Sequence, residues 1–127
     1  MTKFIMDASA VLAVVNNEPG ADYVWDRMPG SSISSVNYAE VITKLIEYGS
    51  TALAAREAVD DYLLEVISVD AELGARMGTL HEVTQRKNIS LGDRACLALA
   101  ERLKLPILTA DRAWAKLDLG LTIELIR

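Results

Sequence analysis

Residues 90–114 read SLGDRACLALAERLKLPILTADRAW, and the order of features in this stretch decides the fold. Ser90 precedes an apolar helical body in which Ala95, Leu97, Leu99, Ala100 and Leu103 recur, and Ser90 and Asp93 have the spacing of a capping box. Residues 105–109 read as a short strand. Pro106 belongs at its first residues or on a sheet edge, because proline cannot donate to a ladder. Asp111 follows this strand, and a short helix begins after it. A helix feeding a strand, with an acid beyond the strand's carboxyl end and another helix behind it, is the rhythm of an α/β domain.

The same rhythm opens the chain. Residues 4–15 read FIMDASAVLAVV: a strand over 3–6 that ends at Asp7, then a helix over 8–15 whose alanines and leucine favour that state. Pro19 and Gly20 interrupt, a second helix spans 21–28, and Pro29 with Gly30 closes it. Residues 31–34 form a strand around Ile33. Ser35 caps a helix to about Tyr48, Gly49 stops it, and Ser50 caps a further helix over 51–65. A third strand over 66–69 precedes a helix over 71–87, with Leu73, Met77, Leu80 and Val83 at near-helical spacing. Residues 121–126 supply a fifth strand. No repeat or linker divides the chain, so one domain over 1–127 is expected. Its α/β architecture needs a parallel sheet of about five strands covered by helices on both faces, because parallel neighbours require crossover connections. Such sheets place their sites beyond the carboxyl ends of the strands.

With 51% apolar and 24% charged residues, the 127-residue chain can build a real core, which excludes a disordered segment. Thirteen basic and 18 acidic residues give a net charge of −5, which argues against holding nucleic acid mainly through a basic surface. A metal-dependent nuclease partly escapes that argument, since acids gathered at a cleavage site are neutralised by divalent cations. Cys96 is the single cysteine, so no intrachain disulfide forms, and among Ala95, Leu97 and Leu99 it reads as a small buried residue suited to a reducing cytoplasm. Lys3 followed by apolar residues superficially resembles a signal peptide. Asp7 splits that run, and Asn16, Asn17, Glu18 and Pro19 follow in place of a small-residue cleavage site, so a mature start and a cytoplasmic location are expected. No apolar stretch approaches the roughly 20 residues that cross a bilayer.

Asp7, Glu40, Asp93 and Asp111 form the candidate site. Each has an ordinary explanation: Asp7 and Asp111 as N-caps, Asp93 as part of a capping box, and Glu40 as the partner of Lys44 four residues on. Taken together they read differently, because the expected topology carries all four to one end of the sheet. Two carboxylates about 5 Å apart repel by roughly 3 kcal/mol at an effective dielectric near 20, so several in one cleft call for a cation. Oxygen ligands without cysteine or histidine favour Mg²⁺ or Mn²⁺ over Zn²⁺, and Mg²⁺ readily adds phosphate oxygens.

The stretch 90–114 closely resembles the C-terminal motif region of PIN domains, especially the VapC toxins. FIMDASAVLAVV is similar to that family's first motif, and SSVNYAE at 34–40 resembles its second. The resemblance implies a doubly wound fold and a metal-dependent endoribonuclease, with Asp7, Glu40, Asp93 and Asp111 as its acidic quartet. It also implies RNA products with 5′-phosphate and 3′-hydroxyl ends, a cognate VapB-like antitoxin that blocks the cleft, and a homodimer. Around the quartet, Thr109 stands to bond an acidic ligand or water, or is an ordinary strand residue. Ser9 orients Asp7 or serves the first helical turn, and Asn37 touches RNA or is a polar early-turn residue.

Arg94 and Arg112 follow site acids and suit phosphate contact or local ion pairs. His81 and the pair Asp60–Asp61 read as solvated, and Trp25 and Trp114 as core or interface. A phosphoacceptor receiver domain fits poorly, because Asp7 lacks an acidic neighbour and the chain end lacks the required lysine. A haloacid-dehalogenase-like phosphatase would need an acid where Ser9 stands. A metal-free or catalytically inactive PIN-like binding module is the more serious alternative, and metal titration separates it from the nuclease.

Overall fold

Five short parallel strands centre the chain in a computed structural model that describes residues 3–84 and 88–127. β1 (Ile5–Met6) runs into α1 (Ala8–Val15) and α2 (Ala21–Arg27). β2 (Ser32–Ser34) runs into α3 (Ser35–Glu47) and α4 (Ala52–Asp60). β3 (Glu65–Ile67) precedes α5 (Ala71–Thr79) and α6 (His81–Thr84); α7 (Leu91–Leu103) leads to β4 (Ile107–Thr109), a 3₁₀ turn (Arg112–Lys116) and β5 (Ile123–Leu125). The sheet order β3-β2-β1-β4-β5 builds outward on both sides of β1, so the fold is doubly wound, as expected.

Two cores cover the two faces. Alternation along each strand sends Met6 and Leu108 into one core with Ile33, Val11, Val24, Val41 and Val59, and sends their neighbours Ile5 and Ile107 into the other with Leu73, Met77, Leu97, Leu99 and Trp114. Strands buried on both sides need uninterrupted apolar sequence, which Ile5–Met6 and Ile107–Leu108 supply. The apolar body of α7 has the same cause: Ala95 to Ala100 are all buried, because the helix packs against the sheet, α3 and α5. Burying Leu97 and Leu99 contributes about 2 kcal/mol each, several times a surface i,i+4 pair, so packing holds α7 in place.

Several expected boundaries move. The helix over 71–87 breaks at Leu80, whose carbonyl accepts Val83 N and Thr84 N at 3.1 Å in a tightened turn; residues 85–87 lie outside the described ones. The helix expected over 51–65 ends at Asp60, with Leu63 at φ 60°, because Glu65 N is already pairing with Ser31 O at 2.8 Å. The caps are Ser34 and Thr51, one residue from the expected Ser35 and Ser50; the Ser35 hydroxyl instead accepts Val69 N. Pro106 stands just before β4, which is an interior strand, and its carbonyl accepts Ile5 N at 2.8 Å. Among the described residues, no helix is long and apolar enough to cross a membrane.

Candidate active site

The register pairs Met6 with Leu108, so the next residues, Asp7 and Thr109, emerge side by side from β1 and β4 although they are 102 positions apart. This is where the strand order turns back, the place at which open parallel sheets form a crevice. Asp7 has extended backbone and caps α1, its Oδ1 accepting Ala10 N at 2.9 Å. Ser9 Oγ donates to the same carboxylate at 2.7 Å, and Thr109 Oγ1 donates to Oδ2 at 2.7 Å. The two hydroxyls also accept backbone amides of the β4 exit: Ser9 from Ala110 N at 2.9 Å and Thr109 from Asp111 N at 3.0 Å. Ser9 and Thr109 therefore staple the two strand ends through Asp7.

Asp7 is 5% exposed, and among the described residues its hydrogen-bond donors are two hydroxyls and an amide, with no cationic side chain. Burial pushes its carboxyl up to about 6; the three donors hold it back, and the negative charge of Asp93 pushes it further.

Glu40 and Asp93 approach from neighbouring helices. Ser34 caps α3 and places Asn37 in its first turn, where Ser34 Oγ donates to Asn37 Oδ1 at 2.6 Å. The Asn37 amide nitrogen donates to Glu40 Oε1 at 2.7 Å and to the Gly92 carbonyl at 2.9 Å, tying α3 to the first turn of α7. Asp93 does form the expected capping box: its Oδ2 accepts Ser90 N at 3.0 Å while Asp93 N donates to Ser90 Oγ at 3.1 Å. Beneath them lies Cys96, fully buried, whose thiol is raised well above its ordinary value by burial first and then by the charges of Asp7, Asp93 and Glu40. The charges of Asp7, Asp93 and Glu40 therefore all act on this one thiol. Asp111 is exposed, and its Oδ1 accepts Ala113 N at 3.0 Å to cap the 3₁₀ turn. It joins the group through its amide on Thr109.

The donor set is oxygen throughout, graded from buried Asp7 to exposed Glu40 and Asp111. Among the described residues, no three His, Cys, Asp or Glu close into a ready-made metal cage. That excludes a four-ligand structural zinc site. Carboxylate oxygens are the donor type that Mg²⁺ takes, and it is usually bound through one or two carboxylates together with waters and substrate phosphates.

The other polar residues settle on local roles. Arg94 donates to the carbonyls of Met77 and Ile89 at 2.8 and 3.3 Å, so its guanidinium braces the turn before α7. Arg112 donates to the carbonyl of Arg127, and the Lys44 ammonium sits 3.5 Å from Glu47, so Glu40 is not in the expected pair. Trp114 is fully buried and Trp25 is 56% exposed, edge-on to Tyr62.

The PIN domain family model matches residues 4–119. The chain belongs to the PIN-domain family. This PIN domain is 29% identical over 114 residues to a VapC ribonuclease of Mycobacterium bovis and to ribonuclease VapC42 of Mycobacterium tuberculosis, covering 82% of this chain and 87% of each relative. Among solved structures, it is similar to a toxin-antitoxin complex from Klebsiella pneumoniae, with TM-score 0.76, 16% identity and 98% of each chain covered. It is also similar to the sarcin-ricin loop cleaving toxin VapC20 of M. tuberculosis, with TM-score 0.76, 18% identity and 89% of this chain and 93% of that one covered. A third likeness is DNA-bound VapBC from Salmonella typhimurium, with TM-score 0.72, 21% identity and all of both chains covered. These structures share the PIN fold.

Thr109→Val tests the staple in this PIN domain, since valine keeps the shape and removes the hydroxyl. Asp7 should then titrate above about 6, because it loses one of the donors that hold it down. Stability should fall by about 1–3 kcal/mol, as Asp111 N loses its acceptor. An NMR titration of the carboxyl and urea denaturation measure the two effects, and Thr109→Ser should show neither.

Proposed function

We propose that this PIN domain, spanning residues 1–127, is a Mg²⁺- or Mn²⁺-dependent endoribonuclease and the toxin of a VapBC-type pair. Its site is Asp7, Glu40, Asp93 and Asp111. The observation that carries the reading is Asp7: a buried carboxylate with no cationic side-chain partner among the described residues, at the turning point of the sheet, close enough to feel the charge of Asp93. A charge in that position is costly unless a cation compensates it. The kinship with VapC ribonucleases supports RNA as the substrate.

A divalent ion held by Asp7, Glu40, Asp93 and Asp111 would supply an activated water and neutralise charge on the scissile phosphate. Asp7 is the anchor, fixed by Ser9, Thr109 and Ala10 so that its position costs no reorganisation. Asp93 and Glu40 hold the α7 side of the site and Asp111 the β4 side. The acids would repel the phosphates of an RNA backbone, a charge that a cation held by them would offset. The products carry 5′-phosphate and 3′-hydroxyl ends.

A cytoplasmic homodimer restrained by a VapB-like antitoxin completes the reading, supported by likeness to toxin–antitoxin complexes. The test is sequencing of RNA ends after induced expression. A small set of discrete new 5′ ends should appear as growth stops, and co-expression of the neighbouring antitoxin should remove both. Soluble, folded protein that generates no new ends overturns the proposal.

A further inference from the structure

We propose that Asn37 and Gly92 together form the seat of the Glu40 carboxylate, Asn37 as a positioning residue and Gly92 through the space it leaves. The inference rests on the reading of Glu40 as part of the carboxylate site.

Glu40 lies on an exposed stretch of α3, where a glutamate normally samples many rotamers. Here its carboxylate is held. The Asn37 amide nitrogen donates to Glu40 Oε1 at 2.7 Å and to the Gly92 carbonyl at 2.9 Å, which uses both of its protons. The Ser34 hydroxyl donating to Oδ1 at 2.6 Å fixes the orientation of the amide. A flipped amide would turn its oxygen toward two acceptors. Asn37 is 2% exposed, so water does not substitute for these partners. The amide is also neutral: it fixes the carboxylate without neutralising it, whereas Lys or Arg in its place would pair with the charge a cation needs.

Gly92 supplies the other half of the seat. A Cβ there would lie 2.5 Å from Glu40 Oε1, 2.9 Å from Cδ and 3.0 Å from Oε2, so the whole carboxylate rests against the bare Cα. The backbone does not ask for glycine: Gly92 is the second residue of α7 and is not among the positive-φ positions. Alanine is the better helix former there. What glycine provides is contact between Glu40 and the first turn of α7, one residue from Asp93, where two like charges would otherwise splay.

The test uses Gly92→Ala, Asn37→Ala and Glu40→Gln, together with the two doubles that contain Glu40→Gln. Each is read by Mn²⁺ titration calorimetry, RNA cleavage and thermal midpoint. Gly92→Ala should keep or raise the midpoint, because the atoms it displaces are the far end of a flexible side chain, yet lose roughly 10–100-fold in Mn²⁺ affinity and in kcat/KM. Asn37→Ala should lose a similar factor with some fall in midpoint. If it does not fold, Gly92→Ala carries the test. In the Glu40→Gln background neither change should add a further loss, which a purely structural role would not produce. Wild-type Mn²⁺ affinity in folded Gly92→Ala or Asn37→Ala, with Glu40→Gln impaired, overturns the seat and leaves the carboxylate site standing. Wild-type affinity and cleavage in Glu40→Gln overturn the site assignment of Glu40, and the seat with it.

Discussion

Asp7→Asn is expected to lower RNA cleavage by orders of magnitude while making the metal-free protein more stable at neutral pH. Asparagine keeps an oxygen for Ala10 N, so the cap survives, and the hydroxyls of Ser9 and Thr109 can rotate to accept from its amide. What disappears is the buried charge. The folded carboxyl titrates at about 6 against an ordinary 3.8. Below the lower value both folded and unfolded chains are protonated and burial costs nothing. Between the two the unfolded chain alone has lost its proton, so stability falls as pH rises, and above the upper value the cost is complete. A gap of that size is about 3 kcal/mol at most. Urea denaturation should therefore show the variant gaining on the wild type between pH 4 and pH 8; an equal difference at both ends would sink the burial argument. Glu40→Gln, Asp93→Asn and Asp111→Asn should also stay folded and lose cleavage. Asp60→Asn should cut normally, since Asp60 is engaged with Tyr38 and Arg56.

Excess EDTA should stop cleavage completely, because among the described residues no histidine or lysine is bonded to the four acids to replace a cation. Protons should compete with that cation at Asp7. At a fixed, subsaturating Mg²⁺ concentration, lowering the pH from 7.5 to 5 moves through the Asp7 titration near 6 and should weaken cation binding about tenfold, with proton uptake visible in calorimetry. Cleavage that persists in the chelator would falsify the metal-dependent mechanism.

The fold was legible because it follows from short-range signals. Asp7 after an apolar pair, Ser90 with Asp93, and Ile107–Leu108 before Thr109 each specify a local unit, and alternating units leave little freedom in the topology. Boundaries shifted where tertiary contacts overrode propensity, as when pairing of Glu65 with Ser31 ended α4 early. The acids stood out in the sequence as a candidate set, and the capping-box reading of Asp93 holds in the structure. The roles of Ser9, Asn37 and Thr109 stood as alternatives in the sequence, because their choice depends on neighbours far along the chain. Gly92 gives no sequence signal at all: its space matters only because Glu40, 52 residues earlier, comes to rest on it.

The bond between Asp7 and Thr109 also sets a schedule for synthesis. Asp7 is made well before the Thr109 hydroxyl that steadies it, which arrives 102 residues later, after β2 and β3. At about 5–20 residues per second that interval is roughly 5–20 s on the ribosome. A nascent chain thus carries Asp7 through the next 102 residues of synthesis without a finished crevice around it. In the nuclease we propose, the cutting centre comes into being only once Thr109 has been read.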